Sequence, residues 1–565
     1  MDQPYPRTPL QRRALLKAAG LGLAGASGLP LLSACAEVSG GQGNVQKVDA
    51  GLDILPNYQE WSLLVEPDLI GDPPDHPSAF LKYPNPMPQA ITETPDNKGS
   101  YQVYVPNWGP VQGKDSSYFT RMREVTGTDI EFVQTDGEAF PDACMQWIQA
   151  NEFGDAILLF SWMTGGDPNF NETVINRFAD LTDVVSGDIA DRWPMLAGRG
   201  DDAWKECVWS RDPDNAQETA GVYAVPWTLA AGPGNGFFYR PDLLADADLE
   251  VPTTVEEFLD VARAWTDNKA GKWAVGGTDY MTPMWFGLSN SNWMWDGSGL
   301  VNNVERPEYK EWVEFQRTLT DEKLRHPGIG TADFDSRAAQ YAGKVLFDQD
   351  GWARWPQLIE QAQSSGRSDF EISALGPLTT KGREPVYFAG SGVGGYLFFR
   401  KDLEQEQIAE ILDVCNYAAA PFGTKEYETI AFGFEGEQFD YDDSGRPALT
   451  KAAIKSFQDS FSYTGMSGKT QEFLDGPEKY IQDRFDFDAT VQPYLEGNMF
   501  AGLKLTEPTA GYQAGQVISE KVTDIINGRA ELSALDEAIK TWKADGGDES
   551  RAFYEKAYQS LNEAQ

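Results

Sequence analysis

The chain has only two histidines in 565 residues, His76 and His326, and each stands next to a proline. A serine–histidine triad or a multi-histidine metal centre therefore has almost nothing to draw on. Cysteine is as scarce, with four in all: Cys35, Cys144, Cys207 and Cys415. Positive charge is short too. Lys plus Arg is 46 against 87 Asp plus Glu, a formal net charge of −41. A surface that acidic repels phosphate backbones and anionic headgroups, which excludes nucleic acid as a partner. What the chain does have is a globular balance, 41 % hydrophobic and 24 % charged. The length suits three or four domains or one large two-lobed fold. Aromatics are abundant at 17 Trp, 22 Tyr and 30 Phe, more than a core by itself explains.

The N-terminus reads as an export segment. Arg12-Arg13 precedes a small, apolar, uncharged stretch from Ala18 to Ala34, a weak membrane span and a good signal h-region. It ends Leu32-Ser33-Ala34-Cys35, which resembles the bacterial lipobox. The resemblance implies removal of residues 1–34 and acylation of Cys35, palmitate included, with the protein held at the outer face of the cell membrane. The alternative is an uncleaved anchor with an incidental cysteine. The twin arginine suggests the twin-arginine route, although Gln11 and Leu15 depart from its motif. The three remaining cysteines are an odd number, so no disulfide scaffold is indicated. Residues 36–60 read as a flexible tether. Residues 61–98 read as a proline-rich extended arm, with Leu64, Ile70, Phe80 and Tyr83 as anchors onto a globular surface.

From Tyr101 the pattern is α/β. Strands are predicted at Tyr101–Val105, Asp129–Val133 and Ala156–Phe160. Between them lie a helix with Phe119, Met122 and Val125 inward and Gly127 as its stop, and a second over about 140–150. Strand and helix in alternation mean a parallel sheet, whose ligands bind off the carboxyl ends of the strands. Those ends carry Asn107-Trp108 and Ser161-Trp162. A further strand covers Phe237–Arg240. A helix opens with Thr254 as N-cap and Glu257 closing a capping box, and buries Val255, Phe258, Leu259, Ala262 and Trp265. Ser289 to Trp295 has no period and predicts a loop. Later helices bury Trp312, Phe315 and Leu319; then Val517, Ile518, Val522, Ile525 and Ile526; then Ile539 and Trp542.

Several segments, taken in order, resemble the extracellular solute-binding proteins of bacterial ABC importers, in the large oligosaccharide-binding subgroup. They are FTRMREVTGTDIEFV at 119–133, GVYAVP at 221–226, FYRPDLLADADLEVPTTVEEF at 238–258, Gly343-Lys344-Val345 with Gly351-Trp352, Gly433-Phe434-Glu435-Gly436, and 516–542 with Asp545-Gly546-Gly547. The likeness spans about 99–563. It implies an α/β, two-lobed periplasmic-binding-protein-like fold of type II with the ligand between hinged lobes. Lobe one would be 99–227 plus 386–445, and lobe two 228–385 plus 446–565. It implies a monomer that hands its ligand to separate permease subunits, without catalysis and without a cofactor. Subgroup relatives often carry an acidic calcium loop after the helix ending here near Trp265. Asp267-Asn268-Lys269-Ala270-Gly271-Lys272 lacks that acidic ladder, so no structural calcium is predicted.

Sugars present C–H faces to aromatic rings and hydroxyls to carboxylates and amides, which accounts for the tryptophan excess. The candidate ligand residues are Asn107, Trp108, Ser161, Trp162 and Trp227 in lobe one with Trp285, Asn290, Trp293, Trp295, Asp348 and Trp352 in lobe two. Trp352 stands where the sugar-binding relatives place a stacking aromatic. Glu435, in the G-x-EG segment, joins the set with a structural role as its alternative. Arg240 and Asp242 read as hinge or packing residues, and Trp265, Trp312 and Trp542 as core. Few Lys or Arg occur in these segments, which favours a neutral oligosaccharide over an alginate-like one; a peptide or other solute is a further alternative. A carbohydrate-active enzyme needs two carboxylates about 5 Å apart for retention, and 87 acidic residues leave that alternative open.

Overall fold

The computed structural model describes residues 43–562 except 48–52, 61–64, 73–75, 77, 85, 168, 213–215, 217, 229–231, 332–333, 391, 444 and 466–477. The export segment, Cys35 and the anchor Leu64 lie outside the described residues.

The first sheet grows from the alternation Tyr101, Val103, Val105, all buried. Their strand, Ser100–Asn107, pairs in parallel with Asp129–Asp136 on one side and Ala156–Phe160 on the other. The helices Ser117–Thr126 and Phe140–Ala150 make the crossovers. The Ser116 hydroxyl accepts from the Phe119 N–H at the start of the first, and Gly127 ends it at φ 74°. Two strands from elsewhere complete the sheet. Val393–Phe399 runs antiparallel to Ala156–Phe160, and Ala224–Thr228 antiparallel to Val393–Phe399.

The second sheet holds Ser373–Ala374, Gly236–Tyr239, Val345–Asp350 and Trp273–Val275 in that order. The helix Val255–Trp265 covers it, entered through the capping box formed by Thr254 and Glu257. Each sheet has its own core. Tyr118, Phe178 and Trp209 lie in the first, and Phe237, Phe258 and Trp355 in the second. Ala453, Phe457 and Phe461, from a stretch that the resemblance puts in lobe two, pack into the first core. The backbone crosses between the lobes in two paired segments. The Gly234 N–H donates to the Phe388 carbonyl (3.0 Å) and the Gly390 N–H to Gly232 (2.9 Å).

Three local outcomes differ from the sequence reading. Residues 44–47, placed in a flexible tether, form a strand antiparallel to Leu503–Thr506. The reason is an apolar and amide pattern that finds an edge: Gln46 is buried, and its Oε1 accepts from the Ser210 N–H at 3.0 Å. Farther on, the Asn57 N–H donates to Gly187 of the first lobe, while Phe80 and Tyr83 enter the second core and Ile70 is exposed. The segment 43–98 thus touches both lobes. Second, Trp293–Trp295 is a strand, paired with Leu300–Asn302 in a hairpin. Third, Val517 is exposed, although its neighbours Ile518, Val522 and Ile525 are buried.

Gln46→Ala leaves the Ser210 N–H buried without its acceptor, so it is expected to cost about 1–3 kcal/mol. Urea unfolding of the variant against wild type measures this, and an unchanged midpoint would show that the strand adds nothing to the fold.

Candidate functional site

At the carboxyl ends of the first lobe's parallel strands the chain turns through aromatic residues. Phe160 closes the Ala156–Phe160 strand, and three tryptophans surround it. The Trp162 ring lies 6.2 Å from it at 8°, Trp108 at 5.8 Å, and Trp227 at 5.1 Å edge-on. Trp108 and Trp162 are 51 % and 63 % exposed. Only Trp295 joins them among the described tryptophans as a markedly exposed one. Trp227 is buried, with its Nε1 donating to the Ser462 carbonyl at 2.9 Å.

A ring of amides surrounds these aromatics. The Asn107 Nδ2 donates to the Gln134 Oε1 (3.1 Å), and the Asn107 Oδ1 accepts from the Gly109 N–H (2.8 Å). The Gln134 Nε2 reaches the Ser460 hydroxyl at 3.3 Å. The Gln112 Oε1 is buried and has no hydrogen-bond partner, so an acceptor is left over here. Asp459 accepts from the Gln458 side chain at 2.9 Å, and burial pushes its carboxyl above the ordinary value. None of these residues is Lys or Arg. Ser161 is half-buried, and its carbonyl accepts from the Thr164 hydroxyl at 2.8 Å. The result is two exposed indoles bordered by amides, a hydroxyl and the carboxyl groups of Asp459 and Glu138, whose Oε1 accepts from the Trp108 Nε1 at 3.3 Å, a surface suited to hydroxylated rings.

In the second lobe the parallel strands Trp273–Val275 and Val345–Asp350 end at Gly276 and Gly351-Trp352. Trp352 is half-buried. Its Nε1 donates to the Pro233 carbonyl at 2.8 Å, which ties it to the crossing segment. The Arg484 guanidinium lies 3.4 Å from the ring centroid, so one indole face is already taken. Asn290 is brought near the same crossing: its N–H and the Ser289 hydroxyl both donate to Glu496, which pairs with Phe388.

Four sequence candidates belong to packing instead. Trp285 is 2 % exposed, wedged against Phe237 (4.9 Å) and Phe258 (5.1 Å) in the second core. Trp293 and Trp295 share one face of the hairpin and meet Tyr554 and Tyr558, one turn apart on the helix Asp548–Asn562. Trp293 is buried there; Trp295 is exposed but stacks on Tyr558 at 5.2 Å. Asp348 is 1 % exposed. It binds Arg354 at 2.7 Å and the Gly277 N–H at 2.6 Å, which occupies both oxygens. Glu435 is exposed in a tight turn framed by Gly433 (φ 87°) and Gly436 (φ 78°), beside the helix Ser117–Thr126. At 267–272 the Asp267 carboxylate accepts from the Lys269 and Ala270 N–H groups of its own turn. Among the described residues no group of three or more His, Cys, Asp or Glu could hold a metal ion.

Phe160, Gln112, Gln134, Asp459 and Tyr463 were not legible as site residues. Tyr463 lies 6.3 Å from Phe160 and arrives from a distant part of the chain. Only Phe160, which ends a predicted strand, and Gln134, one residue past another, carried a signal.

The family described as bacterial extracellular solute-binding protein matches residues 114–407. Lipoprotein LipO of Bacillus subtilis (strain 168) is 24 % identical over 352 residues, covering 57 % of this chain and 68 % of that protein. Among solved structures, alginate-binding protein AlgQ2 without calcium ion superposes with a TM-score of 0.58 at 13 % identity, over 83 % of this chain and 99 % of that one. FusA of S. pneumoniae in complex with kestose gives 0.56 at 15 %, over 83 % and 100 %. NgtS of Streptococcus pneumoniae in complex with Man1GlcNAc gives 0.55 at 14 %, over 82 % and 99 %. The shared feature is the fold, the two-lobed type II periplasmic-binding-protein-like architecture.

Asp348→Ala breaks a buried ion pair and is expected to cost about 3–5 kcal/mol of stability. Thermal or urea unfolding checks this; a soluble variant of wild-type stability would return Asp348 to the ligand candidates.

Proposed function

Because the chain belongs to the bacterial extracellular solute-binding protein family, we propose that it captures a neutral oligosaccharide between its lobes and delivers it to the permease of an ABC importer. The observation that carries the sugar reading is the pair of exposed tryptophans flanking Phe160 at the strand ends. Flat, solvent-facing indoles are costly to leave uncovered and match the C–H faces of sugar rings. The amide rim, the leftover Gln112 acceptor and the lack of Lys or Arg among these residues favour a neutral ligand over a uronate. FusA and NgtS, solved with kestose and Man1GlcNAc, support an oligosaccharide. Asn107, Trp108, Ser161, Trp162 and Trp227 are the lobe-one contacts of this reading. Asn290 and Trp352 are the lobe-two contacts of this reading.

In this reading the protein is a monomer that transforms nothing and needs no cofactor. It is anchored by an acylated Cys35 to the outer face of the cell membrane. LipO, named a lipoprotein, supports the anchor. No described helix is long and apolar enough to cross a membrane, and a lipid anchor needs none.

Thermal-shift screening of the purified chain against neutral and acidic oligosaccharides, kestose among them, identifies the binder. Trp108→Ala and Trp162→Ala are each expected to weaken it about tenfold in isothermal titration, the loss of one aromatic contact. Trp542→Ala, in the core, should lower stability by about 3–5 kcal/mol and leave the affinity of the folded protein alone. Wild-type affinity in both strand-end variants would sink the placement of the sugar. Cys35→Ala should shift the protein from the membrane to the soluble fraction on cell fractionation; retention would mean an uncleaved anchor.

A further inference from the structure

The N-terminal strand Asn44–Lys47 and its partner Leu503–Thr506 form a two-stranded ribbon that belongs to neither main sheet. Directly opposite residues of an antiparallel pair share a face, and successive residues alternate between faces. The register sets Val45 against Leu505 and Lys47 against Leu503 on one face. Gln46 against Lys504 and Asn44 against Thr506 make up the other. The two faces meet different lobes.

The first face is turned to lobe two. Leu503 is part of the second core, and Val45 and Leu505 pack against it. On the same face the Lys47 Nζ donates to the Ser560 carbonyl of the last helix at 2.7 Å. The chain reaches the ribbon from Phe500, in the second core, and leaves it into the helix Thr509–Ile526, whose Ala514, Ile518 and Val522 lie in that core too. Lobe two therefore holds the strand Leu503–Thr506 from both ends.

The second face is polar and turned to lobe one. The Gln46 Oε1 accepts from the Ser210 N–H at 3.0 Å, and the Thr506 hydroxyl oxygen accepts from the Asn171 Nδ2 at 3.0 Å. The Lys504 Nζ donates to the Glu206 carbonyl (2.7 Å) and carboxylate (3.0 Å) and lies 4.6 Å from the centroid of the Trp209 ring. Packing along this side is not continuous. A cavity of about 300 Å³ adjoins the ribbon, lined by Trp209 and Tyr396 of the first core and by Leu503, Lys504, Glu507 and Tyr512. Among the residues that line it Lys504 is the only cation, against the carboxyl groups of Asp167, Glu206 and Glu507. Parting the apolar face would uncover a core. Parting the polar face exchanges hydrogen bonds for water, at a small net cost for each.

We propose that the ribbon is a latch between the lobes: it stays on lobe two, and its polar face clasps lobe one through Lys504–Glu206, Gln46–Ser210 and Thr506–Asn171, which sets how readily the lobes part. Lys504 supplies most of the grip, because removing one member of a largely desolvated ion pair leaves the other charge without its partner. The N-terminal strand supplies Gln46, so the segment ahead of the first lobe takes part in lobe motion. The latch rests on the capture reading only in taking the lobes to open and close about their hinge.

The test combines hydrogen exchange with small-angle X-ray scattering on the purified chain without added ligand. Lys504→Met keeps an apolar stem against Trp209 and removes the charge. It is expected to speed exchange of the Ser210 amide about tenfold, because the Gln46 acceptor leaves with lobe two, and to enlarge the radius of gyration. The ladder amides of 44–47 and 503–506 should keep wild-type protection, since the ribbon moves as one piece. Glu206→Gln should act in the same direction, and it decides should Lys504→Met fail to fold in a thermal melt. Ribbon amides that exchange faster together with Ser210 would mean an unravelling strand pair. A faster Ser210 amide at an unchanged radius would mean local loosening. Either result overturns the latch, as does wild-type behaviour in both variants. No sugar enters the measurement, so failure of the oligosaccharide reading and failure of the latch are told apart.

Discussion

Where the backbone passes between lobes, residues 232–235 and 387–390 run side by side. Gly234 donates to Phe388 and Gly390 to Gly232. These bonds hold the two crossing strands side by side and so limit how the two sheets can be placed. Side chains lock the same place from each direction. The Tyr387 hydroxyl donates to the Asn235 carbonyl at 2.6 Å, and the Trp352 Nε1 to Pro233 at 2.8 Å. Hinge closure in two-lobed proteins concentrates φ/ψ change in a few such residues. Glycines at 232, 234 and 390 keep this crossing thin; a Cβ on Gly234 would lie 3.5 Å from the Phe388 carbonyl oxygen.

The N-terminal segment adds a second connection. Its strand Asn44–Lys47 pairs with Leu503–Thr506, and the Lys47 Nζ caps the Ser560 carbonyl of the last helix at 2.7 Å. The same chain then meets the first lobe at Gly187 and the second through Phe80 and Tyr83. Ordering so long a stretch is entropically costly, and buried aromatic anchors with paired backbone offset it. The charge pattern follows the same logic. The acidic excess is largely at the surface, while buried charges find partners within the fold: Arg354 pairs with Asp348 and Asp350, and Glu426 accepts from the Ala90 and Ile91 N–H groups. Burial pushes the Asp350 carboxyl up, but bonds from Arg337 and the charge of Arg354 outweigh it and hold the group below its ordinary value.

The tryptophans separate by what lies across from them. Trp265, Trp312 and Trp542 sit on helix faces whose 3.6-residue spacing points inward, and all three are buried. Trp108 and Trp162 follow strand ends, where the parallel sheet stops, and each is more than half exposed. Both groups could be read from local pattern. Trp285, Trp293 and Trp352 could not, because their surroundings come from Phe258, Tyr554 and Arg484, far away in the chain.

Periodicity and capping determined the local elements. The first three parallel strands, the two helices between them and the Thr254–Glu257 capping box form where their own residues call for them, since those signals act within a few positions. Segment order likewise pointed to two lobes and a solute-binding family. What only the tertiary structure decided is pairing at long range. It put 44–47 on the edge of 503–506, carried Tyr463 to Phe160, gave one face of Trp352 to Arg484, and buried Asp348 against Arg354. Such contacts depend on which surfaces meet when the two sheets and the segments that cross between them are packed at once. No window of neighbouring residues contains that information.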